Sequence, residues 1–458
     1  MAVYDLTPVQ VKPVETANRK ICTALPVPES LPVFEELKKS EPRSMSGQPP
    51  ILWHKAESAS VWDKWGNRWI DWSSGVLITN AGHGRREIRD ALKAMIDQEL
   101  LATYVFPHEG RAVLTHKLRM VSPDPENYQV FLLSTGSEAT ENCIKLAKTY
   151  GLEKHGPNKK YFISFNNAFH GRTMGAQLAG GNPNQKKWIG QLDPTFVQVP
   201  FPDGYKNENT GFDLFLNTLK AKNVKPEDIC GVMVESFQGV GPDFMPVEYA
   251  KSLEKFCREH DIVFICDEVQ AGFGRSGRMF SFQHYGIKPD LIACGKGISS
   301  SLPISAVIGR KDIMGLYPPG SMTSTHSASP LAVAAAIENM NIIEREKLVE
   351  RAAKMGEILI PALDRIQKKY PSFLGCMHGK GLVAGIQVVK PGSKTPDPEL
   401  ATKINVACYQ KGLLMFAPVG IAGECLKIAP PLCIPEDMLR ESIQVFEEAI
   451  DEVAAKLK

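Results

Sequence analysis

Three observations in this sequence predict an α/β fold built on a mostly parallel sheet buried on both faces. Short, continuous apolar runs recur through the middle of the chain, where strands with one wet face would alternate apolar and polar residues. Helical stretches separate several of these runs, as parallel strands require. The polar residues with chemical uses follow directly after the runs, at the strand ends where open α/β sheets bind ligands. With 458 residues, the chain is long enough for two or three domains.

In chain order, residues 1 to about 50 are proline-rich and weakly periodic, an extended arm with one short helix around Phe34 to Lys39. Ser60 to Asp71 reads as a β-hairpin turning at Gly66-Asn67. Seven strands are then expected at Val130–Ser134, Tyr161–Phe165, Thr195–Val199, Gly231–Glu235, Ile262–Cys266, Leu291–Cys294 and Ile304–Ile308. Between them, Glu138–Tyr150 reads as a helix ended by Gly151, and Val247–His260 as one opened by Pro246. One long helical pattern covers Pro330 to Tyr370. The chain closes on an amphipathic helix, Glu436–Leu457, with the apolar stripe Leu439, Ile443, Phe446, Ile450, Val453 and Leu457. The expected division is an arm and part of a small domain at 1–105, a large domain at 106–345 with a mostly parallel seven-stranded sheet, and the rest of a small α+β domain at 346–458.

Composition narrows the function. A net charge of +2 offers no electrostatic reason for nucleic acid or an anionic membrane as partner. No run of 18 apolar residues is present to span a bilayer. The first twenty residues lack the basic start and apolar block of a secretory signal, and the ten cysteines are scattered without a CxxC pair. A cytoplasmic protein with reduced thiols and no metal site is expected.

Four strand ends carry chemistry, and one further motif imitates a nucleotide site. Thr135-Gly136-Ser137-Glu138 follows the first strand and opens a helix, a place where N–H groups, a close-approach glycine and a hydroxyl can hold a phosphate. Taken alone, the motif reads more readily as an ordinary capping box by Thr135 and Glu138. Asp267-Glu268-Val269-Gln270 ends another strand. Its first carboxylate suits a protonated pyridine nitrogen, or simply a helix cap. Gly295-Lys296-Gly297 is unusual, because a lysine between two glycines after an apolar strand has the room a Schiff-base lysine needs. Phe169-His170-Gly171-Arg172 offers an aromatic face for a flat cofactor, or a core phenylalanine beside a satisfied histidine. Gly272-Phe-Gly274-Arg-Ser-Gly277 matches the dinucleotide-binding spacing, but no strand stands immediately before it and no helix start follows.

The order of these motifs, with Glu235 at its strand end, DEVQAGFGRSG, Ser324-Thr325 and Pro430-Pro431-Leu432, resembles the class III pyridoxal-phosphate-dependent aminotransferases over roughly residues 50 to 455. A lysine 29 positions after the motif's aspartate (296 − 267) is part of that signature. The resemblance implies a fold-type-I transferase, active as a homodimer or tetramer, that acts on a small amine or amino acid with pyridoxal 5′-phosphate. It implies that Lys296 forms the Schiff base and moves the proton, Asp267 holds the pyridine N–H, and Val269 and Phe169 sandwich the ring. Gln270 would meet the phenolic oxygen, His170 and Glu235 would stand by the ring, and Gly136 and Ser137 would hold the phosphate with Thr325 of a second copy. Arg172 matches an arginine that binds a distal substrate carboxylate.

Two positions depart from the pattern. Val240 stands where the family has a glutamate, and Lys427 where it has an arginine for the α-carboxylate of 2-oxoglutarate or glutamate. Lysine keeps the charge and loses the two-pronged fork. The expectation is therefore an aminotransferase that prefers a small oxoacid such as pyruvate. A racemase or epimerase of the same fold is the alternative, and a decarboxylase or an inactive scaffold lies further off.

Overall fold

All seven apolar runs are strands of one sheet in the computed structural model, which describes residues 4–457. They are β1 (Tyr128–Leu133), β2 (Tyr161–Phe165), β3 (Phe196–Val199), β4 (Ile229–Glu235), β5 (Val263–Asp267), β6 (Leu291–Cys294) and β7 (Ser305–Arg310). The order across the sheet is β1-β7-β6-β5-β4-β2-β3. Only β7 is reversed, antiparallel to both β1 and β6; every other neighbouring pair is parallel. Every residue of β4, β5 and β6 is buried, which explains why these strands read as unbroken apolar runs.

Helix α1 (Gly136–His155) lies on this sheet. Ala139, Cys143, Ala147 and Tyr150 pack with Leu133, Met233, Ile265 and Val307 in one core. Each fully buried leucine, isoleucine or valine there contributes about 1.5–3 kcal/mol. Gly151 does not end this helix, contrary to the expectation. A Cβ on it would sit 2.7 Å from Cys230 Cβ and 2.8 Å from the Lys159 carbonyl oxygen, so the glycine lets helix and sheet approach closely. The stop is Gly156, whose φ of +84° suits a residue without a Cβ.

The helical pattern from Pro330 to Tyr370 is also not continuous. It forms α3 (Pro330–Arg345) and a separate helix Leu348–Lys369, broken where Lys347 takes a φ of +50°. The chain divides into two compact units, one spanning Arg86 to Glu350 and the other joining the chain up to Arg85 with the chain from Arg351 onward.

In the second unit, Ser60–Trp62 pairs antiparallel with Arg68–Asp71 as a hairpin. The Asp63 carboxylate accepts the N–H groups of Trp65 (2.9 Å) and Asn67 (3.0 Å) and so shapes its turn. Leu413–Leu414 joins the same sheet beside Arg68–Asp71, so the two ends of the chain share a core. The arm holds the helix Leu31–Ser40. The final helix runs Glu436–Ala455 and buries the expected stripe except Leu457, which lies past its end and is exposed.

Candidate active site

Parallel register sets the site. Asp267 pairs with Glu235 on one side and Ala293 on the other, so the ends of β4, β5 and β6 stand side by side. The loops after β1 and β2 close over the same edge. Gly136, Ser137, Phe169, His170, Glu235, Asp267, Val269, Gln270 and Lys296 line one pocket there, together with Thr135 and Gly171.

The start of α1 is a capping box. Glu138 accepts from the N–H groups of Ser134 (2.7 Å) and Thr135 (3.1 Å), and the Thr135 hydroxyl accepts from Glu138 N–H (3.3 Å). The capping reading of this motif holds, and Gly136 and Ser137 also line the pocket. The Ser137 hydroxyl has no hydrogen-bond partner among the described residues. A Cβ on Gly136 would sit 2.6 Å from Val269 Cγ1, so only glycine admits Val269 at this wall.

Lys296 follows β6 with a φ of +43°, a left-handed backbone that costs a residue with a side chain roughly 1–2 kcal/mol. Asn339 of α3, fully buried, holds the turn by donating to the carbonyls of Gly297 (2.9 Å) and Ile298 (2.9 Å). The Lys296 amine makes no hydrogen bond or salt bridge among the described residues. Burial lowers its pKa, with Asp267 and Glu235 opposing in part.

Asp267 Oδ2 accepts from His170 Nδ1 at 2.7 Å, and Oδ1 from Val269 N–H at 3.0 Å. Burial alone would lower the His170 pKa; the hydrogen bond and charge of Asp267 outweigh it and raise it. Glu235 bridges two loops, accepting from Phe169 N–H and Gly239 N–H at 3.0 Å each. Burial pushes its carboxyl up to about 7, and the Asp267 charge adds to the push.

The expected substrate residues Arg172 and Lys427 are not in this pocket, and Thr325 is expected at the pocket of a second copy. Arg172 is exposed, its guanidinium 5.5 Å from the centroid of the Phe169 ring. Thr325 is exposed on a loop of the same unit. Lys427 belongs to the other unit, buried on strand Cys425–Ile428 opposite Gly385. Thr135 and Gly171 also line the pocket; both belong to motifs the sequence singles out but are not among the expected cofactor residues. Asn339 carries no signal, since an asparagine inside an apolar helix announces no contact.

The pocket fits pyridoxal phosphate. An unpartnered amine suits its aldehyde, an acceptor backed by an imidazole suits its ring nitrogen, and a helix start with an unpartnered hydroxyl suits its phosphate. The fold and pocket are those of the fold-type-I pyridoxal-phosphate enzymes. Within that class the chain belongs to the class III aminotransferase family, whose model matches residues 43–450.

The chain is 31% identical to a 4-aminobutyrate aminotransferase of Mycobacterium leprae, across 94% of this chain and 98% of that one. It is 33% identical to an isoleucine 2-epimerase of Lentilactobacillus buchneri, across 87% and 89%. The crystal structure of ornithine aminotransferase from Toxoplasma gondii superposes with a TM-score of 0.83 at 25% identity, covering 94% of this chain and 97% of that one. Among the described residues, no helix is long and apolar enough to cross a membrane, and no cluster of His, Cys, Asp and Glu is arranged to hold a metal ion.

Proposed function

We propose that this pyridoxal-phosphate-dependent aminotransferase moves an amino group from an amine or amino acid to a small oxoacid, pyruvate in preference to 2-oxoglutarate. The observation that carries the catalytic part is the buried, unpartnered Lys296 amine beside Asp267 and Glu235. The cofactor supplies an aldehyde for the substrate's amine and a conjugated ring that draws electrons from the neighbouring carbon. Lys296 Nζ, its basicity tempered by burial, takes the proton from the substrate carbon. Asp267, oriented by His170, would accept a hydrogen bond from the ring nitrogen. Val269 and Phe169 would flank the ring, Gln270 would meet its phenolic oxygen, and Gly136 and Ser137 would hold the phosphate.

The acceptor preference rests on Val240 and Lys427. The chain lacks the glutamate and the two-pronged arginine with which relatives of this family handle a dicarboxylate. Arg172, exposed beside Phe169, and Lys427 are the substrate-carboxylate groups of this reading. Epimerisation is the alternative, favoured by the similarity to isoleucine 2-epimerase. The same Lys296 proton returned to the opposite face of the carbon would give that outcome.

A panel of amines and amino acids, with and without each oxoacid, separates the readings. Amino transfer with a higher kcat/KM for pyruvate is expected. A preference for 2-oxoglutarate overturns the acceptor assignment, and inversion without any oxoacid establishes the epimerase. Val240→Glu with Lys427→Arg is expected to improve 2-oxoglutarate use more than the two single changes combined.

A second copy of the chain completes the site in this reading. Leu101, Tyr104, Val105 and Phe106 form an exposed apolar segment, Phe106 at 72%. The Tyr104 hydroxyl lies 3.1 Å from that of Thr323, on the loop that carries exposed Thr325. An exposed apolar segment of this kind supports an interface there. Association over it would carry Thr325 to the phosphate of the neighbouring pocket.

A further inference from the structure

Beyond the pocket wall, α1 presents a second row of polar side chains to the loop that follows β2. Ser137, Thr140 and Glu141 stand at i, i+3 and i+4, one face of the helix. Each meets that loop at a different point. Gly171, with a φ of +138°, passes so close to Ser137 that a Cβ there would collide with the hydroxyl. The Thr140 hydroxyl, fully buried, lies 2.7 Å from the His170 carbonyl oxygen and 3.0 Å from that of Ser137. Glu141 Oε1 accepts from the Thr173 hydroxyl (2.5 Å) and from Ala176 N–H (3.0 Å), capping α2 (Met174–Ala179).

These anchors hold the stretch that carries His170 and Arg172, and Phe169 lies just before it. Phe169 is otherwise tied by Glu235, and His170 by Asp267. Among the described residues, Arg172 stands over the Phe169 ring and makes no ion pair or hydrogen bond. A buried carbonyl such as that of His170 is costly to leave without a donor. A loop residue between two pinned ends has little freedom to tilt.

We propose that Thr140 and Glu141 are positioning residues for the aminotransferase reaction: Thr140 fixes the His170–Asp267 pair through the His170 carbonyl, and Glu141 fixes Arg172 through the cap on α2. The proposal rests on the reading of the pocket given above. Neither side chain lines that pocket. Their effect passes through the loop, and it separates into two readouts. Loss of the Thr140 hydroxyl acts on the cofactor's ring nitrogen and retention. Loss of the Glu141 carboxylate acts on the capture of a carboxylate-bearing substrate.

The test compares holoenzyme of Thr140→Val, which keeps shape without the donor, with Thr140→Ser, which keeps the donor. Thr140→Val is expected to release pyridoxal phosphate about tenfold faster and to move the pH midpoint of the bound cofactor's visible absorption band. Thr140→Ser is expected to stay within about twofold of the wild type on both. A Thr140→Val enzyme indistinguishable from wild type overturns the proposal, and so does a Thr140→Ser enzyme as impaired as Thr140→Val. Borohydride reduction must fix the cofactor to Lys296 in all three proteins. Labelling at another lysine instead overturns the reading of the pocket, and the proposal with it.

If Thr140→Val does not fold, Glu141→Ala on its partly exposed side chain decides. KM for a carboxylate-bearing substrate should rise about fivefold with kcat within about twofold, and Glu141→Gln, which keeps an acceptor, should recover most of it. An unchanged KM overturns the proposal.

Discussion

Glu235 is the residue whose chemistry follows most directly from its surroundings. Its two carboxylate oxygens accept one N–H each, from Phe169 and Gly239, yet burial still lifts its pKa from 4.5 to about 7. Before the cofactor binds, the folded chain therefore holds a proton between those pH values that the unfolded chain has released. The stability this contributes is fully present below about pH 4.5 and is lost as pH rises through about 7; for a shift of this size it amounts to about 3 kcal/mol. Glu235→Gln removes the titration at a fixed cost, because an amide has one acceptor where two N–H groups wait. The melting temperature of cofactor-free Glu235→Gln, relative to wild type, is expected to improve by a few degrees between pH 5 and pH 8. A difference that stays flat across that range would show that Glu235 is not protonated in the folded protein.

At the scale of elements, the instructive case is Gly151. As a helix stop it would tolerate alanine poorly for conformational reasons; as a contact residue it fails for lack of space. Cys230 Cβ and the Lys159 carbonyl oxygen, at 2.7 and 2.8 Å from the missing Cβ, are backbone-anchored atoms of a strand and a loop that cannot swing aside. Gly151→Ala is expected to lower stability by about 1–3 kcal/mol through overpacking. Gly156→Ala, with nothing within 4 Å but a φ of +84°, should lower it by about 1 kcal/mol through backbone strain alone. Chemical denaturation ranks the two. If Gly156→Ala is the more damaging, the helix is being stopped and packed differently from this account. The same logic explains Gly136, whose small size admits Val269 to the wall of the pocket.

For the whole molecule, the proposed function predicts that self-association over the exposed segment Leu101, Tyr104, Val105 and Phe106 completes the phosphate site. Phe106→Glu places a charge where 72% of a phenylalanine is open to contact. Sedimentation is expected to show a shift toward monomer, accompanied by loss of bound cofactor and of activity. A cofactor-loaded, active monomer would mean that Thr325 plays no part in holding the phosphate.

The sequence alone determined the seven strands and the placing of Gly136, Asp267 and Lys296 at strand ends, because each depends on local pattern; the cofactor and the family came from the resemblance that the motif order carries. An unbroken apolar run marks a doubly buried strand, and motif order survives without knowledge of contacts. Tertiary structure alone decided that Gly151 serves packing, that Lys347 breaks a long helical pattern, and that Asn339 holds the lysine turn. It also decided that Thr140 and Glu141 reach the loop after β2, and that Arg172 and Thr325 stand outside the pocket. Each of these is set by which atoms meet across long stretches of chain: 42 residues between Asn339 and Gly297, and 30 between Thr140 and His170. No local spacing encodes such a meeting; it exists only once the parallel sheet has brought its strand ends to one edge.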